Sequence, residues 1–409
     1  MKKILIVCQR YPIPENHGNP MRTMHFVRSF KDIFADSFEM DIVFTNGHTV
    51  IQGAESFQKE YYLPPQKFYN STKKIFYRLS HNIPSPLLIF SRAGLERFKS
   101  IVESTDFHYL LFRYLTSTQL ISSLPYHYRK RSIVDFDDIP SDNIYDMNFN
   151  SMTRGIKKIL SFVNRWMLKQ YERKCLSLGA ALFCSKRDLD KFETDGDSCN
   201  RFVVPNIYHN DSFDHFNFGN GFYNSNNFLF IGNLNYPPNT NGVKWFILDI
   251  FSKFRREQSD ARFIVIGSAP TPEVVRLCTE TPGVELHENI SDAKPFYKDC
   301  RAVVVPILSG GGTRIKILEA AMTNRPVLST PLGASGLGLE NGSEILLFSN
   351  PDEFITCYRT LENPYQYQSI AEKARFNIKS NYTKSTFQHA LQKVIDYIER
   401  YSSPTHLQV

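Results

Sequence analysis

The stretch from Ala302 to Ala320 constrains the fold more than any other part of this chain. Ala302-Val303-Val304-Val305-Pro306-Ile307 is a short, continuous apolar run, as expected of a strand buried on both faces of a parallel sheet. Ser309-Gly310-Gly311-Gly312-Thr313 follows at once, then the helix-compatible run Arg314-Ile315-Lys316-Ile317-Leu318-Glu319-Ala320. Three successive glycines let the backbone turn tightly and leave its amides uncovered. Thr313 is the expected N-cap of the helix. Arg314 and Lys316 then fall in the first turn, where cations face the positive end of the helix dipole. That placement makes sense if an anion answers both the cations and the free amides. Strand, glycine loop and helix N-terminus together predict a phosphate seat. Glu319 lies one turn beyond Lys316 on nearly the same face, in the less favourable order for a simple helix pair.

The same strand-then-helix alternation recurs along the chain. Strands are expected at 4–8, 40–44, 109–112, 132–136, 180–184 and 202–205, with helical stretches between most of them. Residues 207–226 are rich in Asn, Phe, Asp and Gly, show no period and read as a linker. Beyond it, strands are expected at 228–231, 262–266, 284–286, 302–307, 327–330 and 345–348, with helices near 241–257, 272–281 and 292–299. A second glycine loop, Pro331 to Gly336, follows the strand at 327–330. Two polar, amphipathic helices near 365–380 and 383–401 end the sequence. With 409 residues, the chain has room for two α/β Rossmann-like domains, each with ligands at the carboxyl ends of its strands.

Charge and cysteine usage narrow the partners. A net charge of +7 fits an anionic substrate or membrane surface and is too small to argue for nucleic acid. Seven scattered cysteines without a C-x-x-C pair favour a reducing, cytoplasmic setting and no cysteine metal site. Five apolar residues, Ile4 to Cys8, are too few for a signal peptide, and no run approaches the roughly 18 needed to span a bilayer. A soluble or peripheral protein is expected.

These motifs resemble those of a GT-B glycosyltransferase of the family 4, group 1 type. Gly312 to Ala320 is similar to the E-x7-E region of that family, and Pro326 to Leu337, with Gly333, to the segment that follows it. Phe230-Ile231-Gly232-Asn233-Leu234 with Arg262 to Gly267 is similar to the start of its donor domain. Ser185 and Val204-Pro205-Asn206 are similar to the end of its acceptor domain. The resemblance implies two Rossmann-like domains facing each other across a cleft: an acceptor domain at 1–206, the linker, a donor domain at 227–382, and a helix at 383–409 packing back on the N-terminal domain. It implies a retaining hexosyl transfer from a nucleoside diphosphate sugar to a glycan or glycolipid, in bacterial surface polysaccharide or glycolipid assembly, with no metal or other cofactor.

Carried over by position, Glu319 matches the family's second glutamate, which binds the nucleotide ribose, and Gly311 stands where the first, a donor-sugar contact, would be. Asn233 and Asn241 occupy about the places of an Arg and a Lys that hold the pyrophosphate there. Arg314 and Lys316, with the amides of Gly310, Gly311, Gly312 and Thr313, are expected to supply the missing positive charge. Gly18 and Arg22 match a loop facing the donor phosphate and the acceptor. Asp137 replaces the histidine of a His-Asp pair, and Asp138 matches its aspartate. The residues themselves leave other readings open for Asp135, Asp137 and Asp138, namely a divalent-metal site or a turn capped by acids. His17 and His25 read more simply as surface or packing residues than as catalysts.

The basic, amphipathic stretch 154–174 fits either docking on an anionic membrane or a core helix with a solvated basic face. Lys73, Lys74, Phe76, Tyr77 and Arg78 form a second patch of that type. A non-catalytic nucleotide-sugar-binding subunit, a nucleotide-sugar epimerase or hydrolase on the same fold, and an unrelated phosphate-binding α/β enzyme are the competing functions.

Overall fold

The computed structural model describes residues 1–13, 18–35, 37–46, 57–142, 156–192, 199–208, 225–290 and 292–401. The chain divides into two compact units, Met1–Pro205 with Lys384–Val409, and Asn206–Thr383. Most of the expected linker, residues 209–224, lies outside the described residues.

The N-terminal unit is built on one seven-stranded sheet. Its strands are β1 (Lys2–Arg10), β2 (Phe38–Asn46), β3 (Glu60–Tyr62), β4 (Tyr109–Arg113), β5 (Ser132–Asp135), β6 (Ala180–Phe183) and β7 (Arg201–Val203). They run in the order β3-β2-β1-β4-β5-β6-β7, every pair parallel. Ile4, Leu5, Ile6 and Val7 are all fully buried, as a strand covered by helices on both faces requires. Strand β3 was not expected. Glu-Tyr-Tyr is short, half-buried and polar at one end, so it gives no apolar signal, and it forms only as an edge strand along β2.

The helix Lys384–Tyr401 completes this unit. Phe387, Leu391, Val394, Ile395 and Ile398 form its buried stripe. Phe387 meets Phe26 edge-on at 4.9 Å, and Lys384 reaches Asp32 on the helix Gly18–Phe34 at 2.8 Å.

The second unit repeats the winding with six strands: β8 (Asn227–Ile231), β9 (Arg262–Gly267), β10 (Val284–Glu288), β11 (Ala302–Val305), β12 (Val327–Ser329) and β13 (Leu346–Leu347). The order is β10-β9-β8-β11-β12-β13, again all parallel. In each sheet the order reverses beside the first strand, between β1 and β4 and between β8 and β11. Such a switch point opens a crevice at the carboxyl ends of the strands.

The helix after β8 differs from the expected 241–257. It starts at Pro237, whose missing amide proton and fixed φ suit the first helical position. It then passes through a π turn, Phe246–Phe251, before Ser252–Glu257. The Ser252 hydroxyl donates to the Ile247 carbonyl at 2.6 Å, and Phe246, Ile247, Ile250 and Phe251 are all buried. The wider turn turns four large side chains into the core, which a uniform 3.6-residue period would not do.

Candidate functional site

The glycine loop leaves β11 at the switch point of the second sheet. Gly310 and Gly312 have φ of +98° and +73°, a region that side chains disfavour. Arg314 folds back over the loop. Its Nη1 donates to the carbonyls of Gly311 and, at 3.1 Å, Gly312; its Nη2 donates to that of Gly310 at 2.8 Å. In a trans peptide the N–H points opposite to the C=O. Carbonyls gathered on the guanidinium therefore turn the amides of Gly311, Gly312 and Thr313 away from it. The helix Ile315–Met322 follows, its Ile317 amide donating to the carbonyl of the N-cap Arg314 at 2.9 Å.

Two expectations need correction here. Thr313 is not the N-cap: Arg314 takes that position in an extended conformation, and the Thr313 hydroxyl instead accepts from Asn206 Nδ2 at 2.9 Å. Arg314 itself is the clamp of the loop, while Lys316 is the cation at the carboxyl end of β8.

Lys316 Nζ donates to Asn239 Oδ1 at 3.1 Å and stands 4.1 Å from the ring centre of Phe230 in β8. Asn239 is held in turn by its Nδ2 bond to the Asn233 carbonyl, 2.9 Å. A Cβ on Gly232 would lie 2.9 Å from both Lys316 Nζ and Asn239 Nδ2, so the glycine makes room for the ammonium. Burial and the nearby Arg314 guanidinium push the Lys316 ammonium down to about 7. Glu319 sits one turn on, with the Tyr297 hydroxyl donating to its Oε2 at 3.4 Å. Burial raises its carboxyl to about 7, against the opposing pull of Lys316 and Tyr297.

Gly333 lies in the second glycine loop, its amide donating to Thr330 Oγ1 at 3.0 Å. A Cβ there would come within 2.7 Å of the Val305 carbonyl at the end of β11, so the second loop lies against that strand only because residue 333 lacks a side chain.

Asn233 and Asn241 do not approach Lys316 through their side chains. Asn233 Oδ1 accepts from the Asn235 amide at 2.8 Å, and Asn241 is exposed. The partner is Asn239, which the sequence reading missed although it lies in the same turn as Asn241. Tyr297 was missed too, and no local signal points to it.

In the N-terminal unit, the expected phosphate-facing role of Arg22 needs correction. Its side chain is about 1% exposed, and it grips Asp135 with two parallel bonds, Nε to Oδ2 at 3.0 Å and Nη2 to Oδ1 at 2.8 Å. Nη2 also donates to the Val204 carbonyl at 2.9 Å. Arg113, fully buried, pairs with the same Asp135 carboxylate and donates to Thr23 Oγ1 at 3.1 Å. Asp135 is thus enclosed by two guanidiniums. Among the described residues no group of three His, Cys, Asp or Glu side chains is placed to hold a metal ion.

Asp137 is partly exposed and has φ of +55°. Arg113 Nη2 lies 3.5 Å from its Oδ2 and Arg22 Nε 3.8 Å from its Oδ1, where Cys184 Sγ also donates at 3.1 Å. Burial alone would raise this carboxyl, but the Arg113 and Arg22 guanidiniums and the bonds from Tyr114 and Cys184 bring it down to about 2. Asp138 is half-buried beside it, its amide bonded to the Phe136 carbonyl at 2.6 Å. Gly18 begins the helix that bears Arg22. His25 is buried with its ring edge-on to Phe387, and His17 lies outside the described residues.

A family model described as Glycosyl transferases group 1 matches residues 225–363, so the second unit contains a domain of that type. A Klebsiella pneumoniae protein, described as an uncharacterized 44.6 kDa protein in the cps region, is 23% identical over 362 residues, 85% of this chain and 87% of its own. Among solved structures, a sucrose-phosphate synthase from Thermosynechococcus elongatus superposes with a TM-score of 0.68 at 10% identity, covering 98% of this chain and 100% of the other. Anabaena Alr3699/HepE, solved in complex with UDP-glucose, gives 0.63 at 13% identity over 98% of this chain and 100% of its own. The fold is the two-domain α/β fold of the GT-B glycosyltransferases.

Proposed function

We propose that this chain, with its glycosyl transferases group 1 domain at 225–363, moves a hexosyl group from a nucleoside diphosphate sugar to a hydroxyl of a glycan or lipid-linked acceptor. The transfer retains anomeric configuration and serves bacterial surface polysaccharide or glycolipid assembly on the cytoplasmic side. The observation that carries this reading is the Arg314-clamped loop with Lys316 beside it, both at the β8/β11 switch point. As the glycosidic bond stretches, its electrons pass to the departing diphosphate. Fixed amides and an ammonium at that position meet the growing charge without a metal ion. Glu319 accepts hydrogen bonds from the ribose hydroxyls. Asp137 and Asp138 in the N-terminal unit are the groups offered to sugar or acceptor hydroxyls. The UDP-glucose held by the Anabaena relative supports this class of donor.

Calorimetric titration with UDP, GDP and ADP, in Mg²⁺ and then in EDTA, tests the reading. One diphosphate is expected to bind equally well in EDTA, with affinity reduced about tenfold or more in both Arg314→Ala and Glu319→Ala. Absence of binding by all three, or binding untouched by either change, sinks the assignment.

The same titration has a pH signature. Lys316 binds an anion as the ammonium, so affinity falls as pH rises above about 7. Glu319 accepts from ribose as the carboxylate, so affinity also falls as pH drops below about 7. The ligand's own phosphate titrates near ~6, so the acid limb is judged against Glu319→Gln. That variant is expected to keep the alkaline fall, displaced to lower pH because Glu319 no longer supports the Lys316 ammonium, and on the acid side only the ligand's own fall.

A further inference from the structure

Two helices of the N-terminal unit expose large apolar side chains that the transfer chemistry does not use. The helix Ser71–Ser80 has no buried residue, and its Ile75, Phe76 and Leu79 are exposed, Phe76 by 73%. The helix Ile156–Leu176 exposes Ile159, Phe162 and Trp166 by 65%, 72% and 56%. Their spacing of three and four residues sets them in one stripe, opposite the buried Met167 and Leu168. The two helices are tied together. Arg78 donates to the carbonyls of Ile83, Pro84 and Leu87, and Ser85 in that loop exchanges bonds of 2.7 and 3.0 Å with Asn164.

Charge decides what covers them. The first helix contains three basic residues and no acid. The second contains six basic residues and one acid, Glu172, which is buried against Ser141. Lys73, Lys74, Lys158, Lys169, Arg173 and Lys174 are exposed around the apolar stripes. A second copy of the chain would bring like charges together, and half of the six apolar side chains, Ile75, Leu79 and Ile159, are aliphatic and give bases nothing to stack on, while a net charge of +7 is small for a nucleic-acid surface. Lysine-rich helices presenting Phe, Trp and Ile suit an anionic lipid surface, with the rings in the headgroup region and the ammonium groups on lipid phosphates. We propose that the helices Ser71–Ser80 and Ile156–Leu176 dock this protein on an anionic bilayer. The inference goes beyond the proposed transfer reaction and does not depend on it.

Trp166 is one of two tryptophans, so Trp245→Phe leaves it as the sole reporter. With vesicles of phosphatidylcholine plus phosphatidylglycerol, its emission is expected to shift to the blue and the protein to co-sediment. Binding should weaken with added salt and be about tenfold or more weaker to phosphatidylcholine alone. Phe76→Ala with Phe162→Ala should lower partitioning by roughly tenfold, and Lys73→Glu with Lys158→Glu should abolish it. Nucleotide binding in solution and the circular dichroism spectrum should stay unchanged, which separates this outcome from failure of the donor site. No partitioning, equal partitioning to neutral vesicles, or a dimer in solution that Phe162→Ala dissolves would overturn the proposal.

Discussion

Lys316→Met is expected to lower kcat by ~10²–10³ while leaving the protein at least as stable as wild type. The first half follows from position. Lys316 stands at the carboxyl end of β8, against Asn239 and Phe230, while Arg314 is bound to the loop carbonyls. Losing one preorganised partner of a departing anion costs a large rate factor because water in its place must spend reorganisation free energy that the fixed ammonium does not. The second half follows from burial. An ammonium pushed down to about 7 binds its proton less well in the folded than in the unfolded chain, where Lys titrates near ~10.4. Folding therefore loses stability from this group below the unfolded value, and an isosteric thioether removes that penalty. Lys316→Arg should not restore the rate, because the ammonium already stands 2.9 Å from the space a Gly232 Cβ would take. Steady-state kinetics beside thermal melts give both readouts. A kcat within threefold of wild type would remove Lys316 from the mechanism.

What the sequence made legible follows how local each signal is. The central strands were readable because strands such as 302–305 and 4–7 are buried on both faces and so must be apolar throughout. The strand–glycine loop–helix unit at 302–322 was readable because its parts are consecutive. Within it, the sequence showed two cations but not their division of labour. Arg314 curls onto carbonyls two to four residues behind it, while Lys316 reaches Asn239, 77 residues away. Strand β3 has no apolar run to announce it, and the π turn at 246–251 depends on how four side chains pack. Arg22 was misplaced for the same reason. Its partner Asp135 is 113 residues distant, and Arg113, the third member of the cluster, drew no notice because a basic residue ending a strand is unremarkable in sequence.

That cluster yields the second large effect. Asp135→Ala is expected to destabilise the N-terminal unit by about 3–5 kcal/mol, because it takes from two buried guanidiniums the carboxylate they share and leaves them the longer pairing with Asp137. Arg22→Met should be milder, since Arg113 still pairs with both Asp135 and Asp137. Calorimetry of the full chain should show the loss in one transition, with nucleotide binding by the second unit retained at temperatures below it. The outcome separates two roles for Arg22. A phosphate ligand would lose affinity on substitution and keep its stability; a core ion pair loses stability and keeps affinity. Acid adds a further check. The Asp137 carboxyl is held to about 2, below its unfolded value near ~3.9, so its contribution is whole above that value and disappears as pH falls toward 2. Wild type should lose stability steeply across that window, and Asp137→Asn, already lacking the charge, should be less stable at neutral pH and respond less to acid. A wild-type acid profile matched by Asp137→Asn would mean that the two arginines hold Asp135 alone.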